Sequence, residues 1–268
     1  MSALRSRLAG ALPSSVVRGI SRFRGTTAAD PLDNVSYNRD LWNWYARRWK
    51  DDPRFRLEQA DVPGRAADDL SVLGGEWGTA EDLDEVARAF IDPYVDRSAI
   101  VGEIGSGGGR VAARVAPGSK RLYCFDVSEG MLEQARQTLS QHSNVEYVLL
   151  DRASLPRRLG ETFDFLYSFD VFVHLDLHTI WKYVQEIERT LRRGGHAFLH
   201  TANLTAPGGW KSFAAQAGYR PETHYFVSPE IMRTLVRHAD LRIVKESEPD
   251  AGNFYMNRDY LVVVRKLS

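Results

Sequence analysis

A glycine-rich turn that follows an apolar run is the part of this sequence with the clearest chemical meaning. The run at residues 99–104 leads into GSGGG at residues 105–109, and an amphipathic stretch follows. Glycine lets the backbone approach a ligand where any Cβ would collide, and a helix start offers N–H groups to that ligand. A nucleotide-like cofactor is the natural occupant. The candidate contacts are Gly105, Ser106, Gly107 and Gly109.

Two acidic residues and one missing glycine discriminate between cofactors. A dinucleotide fingerprint needs glycine at position 110, where this chain has Arg110. Glu103, before the turn, would repel a pyrophosphate but attract the ammonium group of an amino acid, which favours S-adenosylmethionine (SAM) over NAD. Asp126 ends the next apolar run, about 20 residues after the glycines, where a carboxylate can accept hydrogen bonds from both ribose hydroxyls. NAD enzymes share this spacing, so Asp126 does not discriminate alone.

With these features in this order, the chain resembles the class I SAM-dependent methyltransferases over residues 79–266. EIGSGGG at 103–109 is similar to their first motif, DVSEGML at 126–132 to their second, and FDFLYSFD at 163–170 to their fourth strand. The resemblance implies a doubly wound α/β fold with a mostly parallel seven-stranded sheet, whose last two strands pair antiparallel. It implies S-adenosylhomocysteine as the product. Further cofactor contacts on this basis are Val127, Met131, Asp151, Arg152, Phe169 and Asp170, and we expect Trp77, ahead of the sheet, to border the cofactor.

Methyl transfer to an alcohol calls for a base, because the hydroxyl proton must leave at or near the transition state. His174 follows the fourth predicted strand, at the carboxyl end where ligands bind in such sheets. It resembles the histidine that serves as general base in plant-type small-molecule O-methyltransferases. The alternative is a helix-start histidine satisfied by local hydrogen bonds. His200, at the end of the fifth predicted strand, is the second candidate base, and its alternative is a structural role.

Histidines four residues apart share a helical face, so His174, Asp176 and His178 could suggest a metal site. The sequence offers no matching carboxylate set on neighbouring strands. We therefore expect no metal.

Apolar periodicity predicts the elements that must position these residues. Short apolar runs alternate with amphipathic stretches from residue 98 onward, which predicts strand and helix in turn. A helix is expected from Thr79, as N-cap, to Tyr94, and a later helix is expected to stop at Gly194-Gly195. The predicted strands are 99–104, 121–125, 145–150, 163–168, 196–200, 241–246 and 260–264.

Three segments surround or interrupt this domain, which we place at residues 79–268. Residues 1–36 form a basic arm that could be a transit peptide, a membrane-surface helix, or an arm packed on the domain or on a partner subunit in a homodimer. We favour the packed or disordered arm, because Gly10 and Pro13 interrupt its helical pattern. Residues 37–78, with an aromatic-rich helix at 37–50, are interpreted as a lid. Residues 202–228 are interpreted as a cap insert over the substrate.

The charge balance and composition limit the classes of partner that this protein is expected to bind. Positive and negative charges balance to a formal net charge of +0, which argues against a nucleic-acid partner. No apolar stretch is long enough for a membrane span, and the single Cys124 suits a reducing, cytoplasmic setting. We therefore expect a small-molecule acceptor, with a sugar or glycoside hydroxyl as one candidate. The alternatives are N- or C-methylation, a non-catalytic SAM-binding protein, and an NAD-dependent oxidoreductase.

Overall fold

An eight-stranded mixed sheet organises the part of the chain that the computed structural model describes, which is residues 34–49, 73–74, 79–219 and 223–267. Its spatial order is β3-β2-β1-β4-β5-β8-β7, and the short β6 pairs with β5 off this path. The strands are β1 (Ile100–Ile104), β2 (Arg121–Asp126), β3 (Val145–Leu149), β4 (Phe163–Ser168), β5 (Leu191–Asn203), β6 (Phe226–Val227), β7 (Leu241–Glu246) and β8 (Asp259–Lys266).

Helices lie between the strands, as the alternating pattern predicts. They are α1 (Asn34–Arg48), α2 (Ala80–Phe90), α3 (Ala112–Val115), α4 (Glu129–Thr138), α5 (Leu177–Thr190), α6 (Pro207–Ala215), α7 (Pro229–His238) and α8 (Phe254–Arg258). Thr79 caps α2 by accepting a hydrogen bond from the Asp82 N–H, as predicted. The chain then turns through a 3₁₀ helix at Asp92–Tyr94.

The sheet is parallel except for β8, which runs antiparallel to both β5 and β7. The antiparallel pairing of the last two strands is therefore confirmed. β8 is apolar on both faces: Tyr260, Val262 and Val264 join one core cluster, while Leu261 and Val263 join the other. Successive side chains of a strand point to opposite faces, so this alternation places a hydrophobic core on each side of the sheet.

Several details differ from the sequence predictions, among them the end of α2 at Phe90 and not at Tyr94. The sheet has eight strands, because Phe226–Val227 adds β6 beside β5. β5 is longer at both ends than the predicted 196–200. The expected helix stop at Gly194-Gly195 is wrong: α5 ends at Thr190, and both glycines lie within β5, close to the irregular pairing between β4 and β5.

The strand order reverses between β1 and β4, since β2 and β3 extend the sheet on one side of β1 while β4 and β5 extend it on the other. In open α/β sheets such a reversal creates a crevice outside the carboxyl ends of the two central strands. Helix α1 lies over this region and forms its own small core with Met131 of α4, whose members are Leu41, Trp44, Tyr45, Ala46, Trp49, Leu73 and Met131.

Candidate functional site

A cleft opens at the carboxyl ends of β1 and β4, as the reversal of strand order requires. It holds about 850 Å³ of non-protein space when the open solvent at its mouth is included. Among the predicted cofactor contacts, those that line it are Glu103, Gly105, Ser106, Gly107, Asp126, Val127, Met131, Phe169 and Asp170. The predicted base His174 lines it as well.

The glycine turn forms the floor of the cleft. Gly105 has φ +74°, and a Cβ built there would stand 2.4 Å from a methyl carbon of Val171. Gly107 has φ +52°, but a Cβ there would meet nothing within 4 Å. The space above Gly107 is therefore open to a ligand, while glycine at 105 is required by packing. Ser106 is buried beside them, and its Oγ has no hydrogen-bond partner among the described residues.

Glu103 lies at the end of β1 and is 2% exposed. Its Oε2 is buried without a hydrogen-bond partner in the part of the chain that the structure describes. Burial raises the pKa of Glu103 well above its ordinary value, and the nearby Asp126 carboxylate acts in the same direction. A cationic ligand group would supply both the missing partner and the compensating charge. This orphaned oxygen fits the ammonium group of SAM.

Asp126 ends β2 with each carboxylate oxygen on a different backbone donor. Oδ1 accepts from the Ser128 N–H at 2.8 Å, and Oδ2 accepts from the Gly107 N–H at 2.9 Å. Burial nevertheless raises the pKa of Asp126 to about 6, against the lowering effect of these N–H donors. A carboxylate offers roughly four lone-pair directions, so two remain for ligand hydroxyls. This geometry fits a ribose with two free hydroxyls.

Helix α1 covers the cofactor side of the cleft. The Asn43 side-chain oxygen accepts hydrogen bonds from the Ser128 hydroxyl and the Gly130 N–H, both at 2.9 Å. Gly130 lets the helix approach, because a Cβ there would lie 3.2 Å from the Cβ of Ala46. Arg39 donates to the Asp151 carbonyl at 2.5 Å. These contacts fix α1 to the loops after β2 and β3.

Four predicted cofactor residues lie elsewhere or cannot be placed. Asp151 and Arg152 form an exposed ion pair with each other at 2.9 Å and do not line the cleft; their neighbour Leu150 does. Gly109 does not line it either, since a Cβ there would stand 3.3 Å from the Cα of Ala135 in α4. Its role is close packing of turn against helix. Trp77 and the N-terminal arm before residue 34 lie outside the described residues.

Asp170 follows β4 in the left-handed region, with φ +57°. Its carboxylate receives the Arg110 guanidinium at 3.1 Å, and its N–H donates to the His200 Nδ1 at 3.1 Å. Arg110 also donates to the Tyr255 hydroxyl. A backbone held in a sparsely populated region by this many contacts is typical of functional sites. Arg110 lines the cleft, although sequence reasoning used it only to exclude a dinucleotide.

His174 lines the cleft from the 3₁₀ helix Phe172–His174. Its Nδ1 lies 3.2 Å from the Thr223 carbonyl oxygen, which can only accept a hydrogen bond. The proton of the neutral imidazole is therefore on Nδ1, and the lone pair is on Nε2. The ring packs edge-on against Trp42 at 5.3 Å and parallel to His224 at 5.8 Å between ring centroids.

His200 has a different environment. It is fully buried, its Nδ1 accepts from the Asp170 N–H, and its Nε2 lies 2.8 Å from the Asp259 carboxylate. Asp259 is in turn bound by Arg258 at 2.6 Å. Neither ring nitrogen of His200 faces the cleft with a lone pair, and the residue does not line it. The arrangement suits the structural alternative, in which His200 holds the loop that carries Asp170.

Several residues at the cleft escaped sequence reasoning. Those with no sequence signal are Val35 and Asn38 of α1, Leu73, and Tyr183 of α5, which come from three distant parts of the chain. No local motif marks them. No group of three potential metal ligands occurs within the described residues, and no helix among them is long and apolar enough to cross a membrane.

The fold is that of the class I SAM-dependent methyltransferases. Residues 102–199 match the model of a methyltransferase domain, so this part of the chain is such a domain, with SAM as the cofactor that its cleft is built to hold. The malonyl-[acyl-carrier protein] O-methyltransferase of Geobacter sulfurreducens is 27% identical over 164 residues, which are 57% of this chain and 59% of that protein. The match thus spans less than two thirds of the curated relative.

Solved structures repeat the fold. Magnesium protoporphyrin IX methyltransferase from Synechocystis PCC 6803, crystallised with SAM, superimposes with a TM-score of 0.59 and 17% identity, covering 90% of this chain and 100% of that one. The [4+2]-cyclase SpnF superimposes with a TM-score of 0.56 and 18% identity, covering 71% of this chain and 83% of that one. At these identities the likeness concerns the fold alone, and a fold can carry unrelated reactions.

Proposed function

We propose that this protein transfers a methyl group from SAM to a hydroxyl oxygen of a small molecule, with His174 as the general base. The observation that carries the proposal is the 3.2 Å contact between Nδ1 of His174 and the Thr223 carbonyl oxygen, from which we assign the proton of the neutral ring to Nδ1 and its lone pair to Nε2. His174 also shares one cleft with Glu103, Gly107 and Asp126, the residues that fit the cofactor. A sugar or glycoside is one acceptor class that presents such a hydroxyl.

The chain's own residues have three tasks in this reaction. SAM, when bound, would supply an electrophilic methyl group, with S-adenosylhomocysteine as the leaving group. His174 takes the proton of the acceptor hydroxyl on Nε2 and becomes an imidazolium, while its Nδ1–H stays on the Thr223 carbonyl. Trp42 and His224 hold the ring from two sides. Helix α1, whose residues Val35, Asn38 and Trp42 line the cleft, excludes water from it, and this strengthens the electrostatic interactions inside the site.

Substitution of His174 by Gln tests the assignment. We expect kcat to fall by about 10²–10⁴-fold, the usual contribution of a positioned base, while S-adenosylhomocysteine affinity stays unchanged. His178→Gln is the matched control, because His178 is exposed four residues further on. Product formation is measured across hydroxylated small molecules, and ligand affinity by calorimetry. A His174→Gln enzyme with near-normal turnover of a hydroxyl acceptor would remove His174 from the mechanism.

A carboxylate acceptor is a second candidate, favoured by the name of the curated relative, which is an O-methyltransferase of a malonyl group. A carboxyl group is already ionised near neutral pH and needs no base. The same variant separates the two candidates, since His174→Gln should leave methylation of a carboxylate nearly intact. N- or C-methylation and a non-catalytic SAM-binding role remain alternatives, and the last predicts ligand affinity without turnover on any acceptor.

A further inference from the structure

The cap insert contains a side chain that binds the backbone of another residue at two points. Gln216 follows α6, and its Oε1 accepts from the His224 N–H at 3.0 Å. Its Nε2 donates to the His224 carbonyl oxygen at 3.2 Å. The amide therefore pairs with both polar backbone groups of one residue, as a neighbouring strand would. This two-point contact fixes the backbone of His224 relative to α6.

Residues 223–225, whose backbone Gln216 binds at His224, also determine which ring nitrogen of His174 carries the proton. Thr223, directly before His224, supplies the carbonyl that receives the His174 Nδ1–H. Directly after it, the Tyr225 N–H donates to the Val173 carbonyl at 2.7 Å. The segment 223–225 and the segment 173–174 are thus joined by one hydrogen bond on each side of His224. A shift of the His224 backbone would move the Thr223 carbonyl away from the imidazole.

The side chain of His224 adds a second connection between the two segments. It is 3% exposed and stacks on the His174 ring with an interplanar angle of 19°. Burial and the nearby Arg258 guanidinium lower the pKa of His224 well below its ordinary value, so it is neutral at physiological pH. A neutral neighbour lets His174 accept a proton without a second cation against its face.

We propose that Gln216 is a positioning residue: by clamping the His224 backbone it holds the Thr223 carbonyl against Nδ1 of His174 and thereby keeps the lone pair on Nε2. The inference rests on the proposed function of His174 as base. Hydrogen bonding to one ring nitrogen is the general means by which proteins select a histidine tautomer. Gln216 makes no contact with the reacting atoms, so it acts through His174 alone.

Two variants of Gln216 test this role. Gln216→Ala removes both contacts, and Gln216→Glu keeps the length but sets a carboxylate oxygen against the His224 carbonyl. Nitrogen-15 NMR of the histidine rings reports the tautomer of His174 directly, with His174→Gln to assign its signals. We expect both variants to lose the pure Nδ1–H form, to lower kcat by at least tenfold, and to leave the KM for SAM unchanged. Gln185→Ala, an exposed glutamine on α5, is the control.

His224→Phe separates the backbone clamp from the ring, because it retains an aromatic stack and the backbone contacts; it should leave the tautomer unchanged. The proposal is overturned if His174 keeps its Nδ1–H form in both Gln216 variants, or if the tautomer changes while kcat does not. Failure of the base assignment gives a different result, in which His174→Gln retains turnover on a hydroxyl acceptor. Thermal unfolding and S-adenosylhomocysteine affinity show whether each variant is folded.

Discussion

Acidification from pH 8 to pH 5 should weaken cofactor binding through Asp126. Burial raises the pKa of this carboxyl to about 6 in the free protein, so it is ionised at pH 8 and largely protonated at pH 5. The ionised form can accept hydrogen bonds from two ribose hydroxyls besides those from Gly107 and Ser128. In the protonated form one of the lone pairs of the carboxyl group binds the proton and can no longer accept a hydrogen bond. The ligand therefore binds the ionised form, and binding below pH 6 must release a proton.

The size of the effect follows from the fraction of protein in the competent form. The apparent Kd equals the intrinsic Kd divided by that fraction, which for a pKa of about 6 means a factor of about 1.1 at pH 7, about 2 at pH 6 and about 11 at pH 5. Burial raises the pKa of Glu103 as well, and a ligand ammonium favours its ionised form. Its titration acts in the same direction and can only steepen the loss of affinity.

Calorimetric titration with S-adenosylhomocysteine between pH 8 and pH 5 measures this dependence. Repeating the titration in two buffers with different ionisation enthalpies counts the protons released. Asp126→Asn is the control, and it should bind about 10–100-fold more weakly at pH 8, because a hydrogen bond to a charged group contributes roughly 1.5–3 kcal/mol. The pH dependence of the Kd that remains in this variant reports the titration of Glu103. A wild-type Kd that changes less than twofold over this range, with the protein still folded, would refute the reasoning.

Two further substitutions follow from the packing around the cleft. Gly105→Ala places a Cβ 2.4 Å from a Val171 methyl carbon at a residue with φ +74°. We therefore expect the free energy of unfolding, measured in urea, to fall by about 1–3 kcal/mol and ligand binding to weaken. An unchanged urea midpoint would show that the loop rearranges freely. Asp259→Asn removes the nearer charge partner of the buried Arg258 and leaves only the Asp170 carboxylate at 4.0 Å, and we expect a loss of about 3 kcal/mol. A thermal midpoint within one degree of wild type would contradict the second expectation.

The cofactor half of the site could be predicted from sequence because its residues lie in short consecutive segments. Glu103 and the glycines follow one strand, Asp126 and Met131 belong to the next, and Asp170 follows a third. Once the strands alternate with helices, the carboxyl ends of parallel strands come together without further information. β4 and β7 have the predicted boundaries for the same reason. The placement of Asp151 and Arg152, which we predicted as cofactor contacts, depends on loop conformation, which no periodicity specifies. The cleft is lined there by Leu150 instead.

The acceptor half could be predicted only as far as His174 itself. The contacts that define its tautomer and orientation join segments far apart in sequence: Thr223 is 49 residues away, and Asn34, whose side chain donates to the His174 carbonyl, is 140 residues away. Such contacts depend on how α1 and the cap insert pack on the domain. A glutamine like Gln216 has no sequence signature, because its amide binds backbone and any nearby segment would serve.

The cofactor contacts and the contacts that hold His174 come from different parts of the chain. The cofactor contacts are built on the strand ends and on the turns that follow them, whereas the ring of His174 is held by Trp42 from α1 and by His224 from the cap insert. α1 is also bound to the cofactor loops through Asn43 and Arg39. A change in α1 should therefore affect cofactor and acceptor together, while a change in residues 216–225 should affect the acceptor reaction alone. Under the proposed function, substitutions in the insert should therefore change kcat through His174 and leave SAM binding intact.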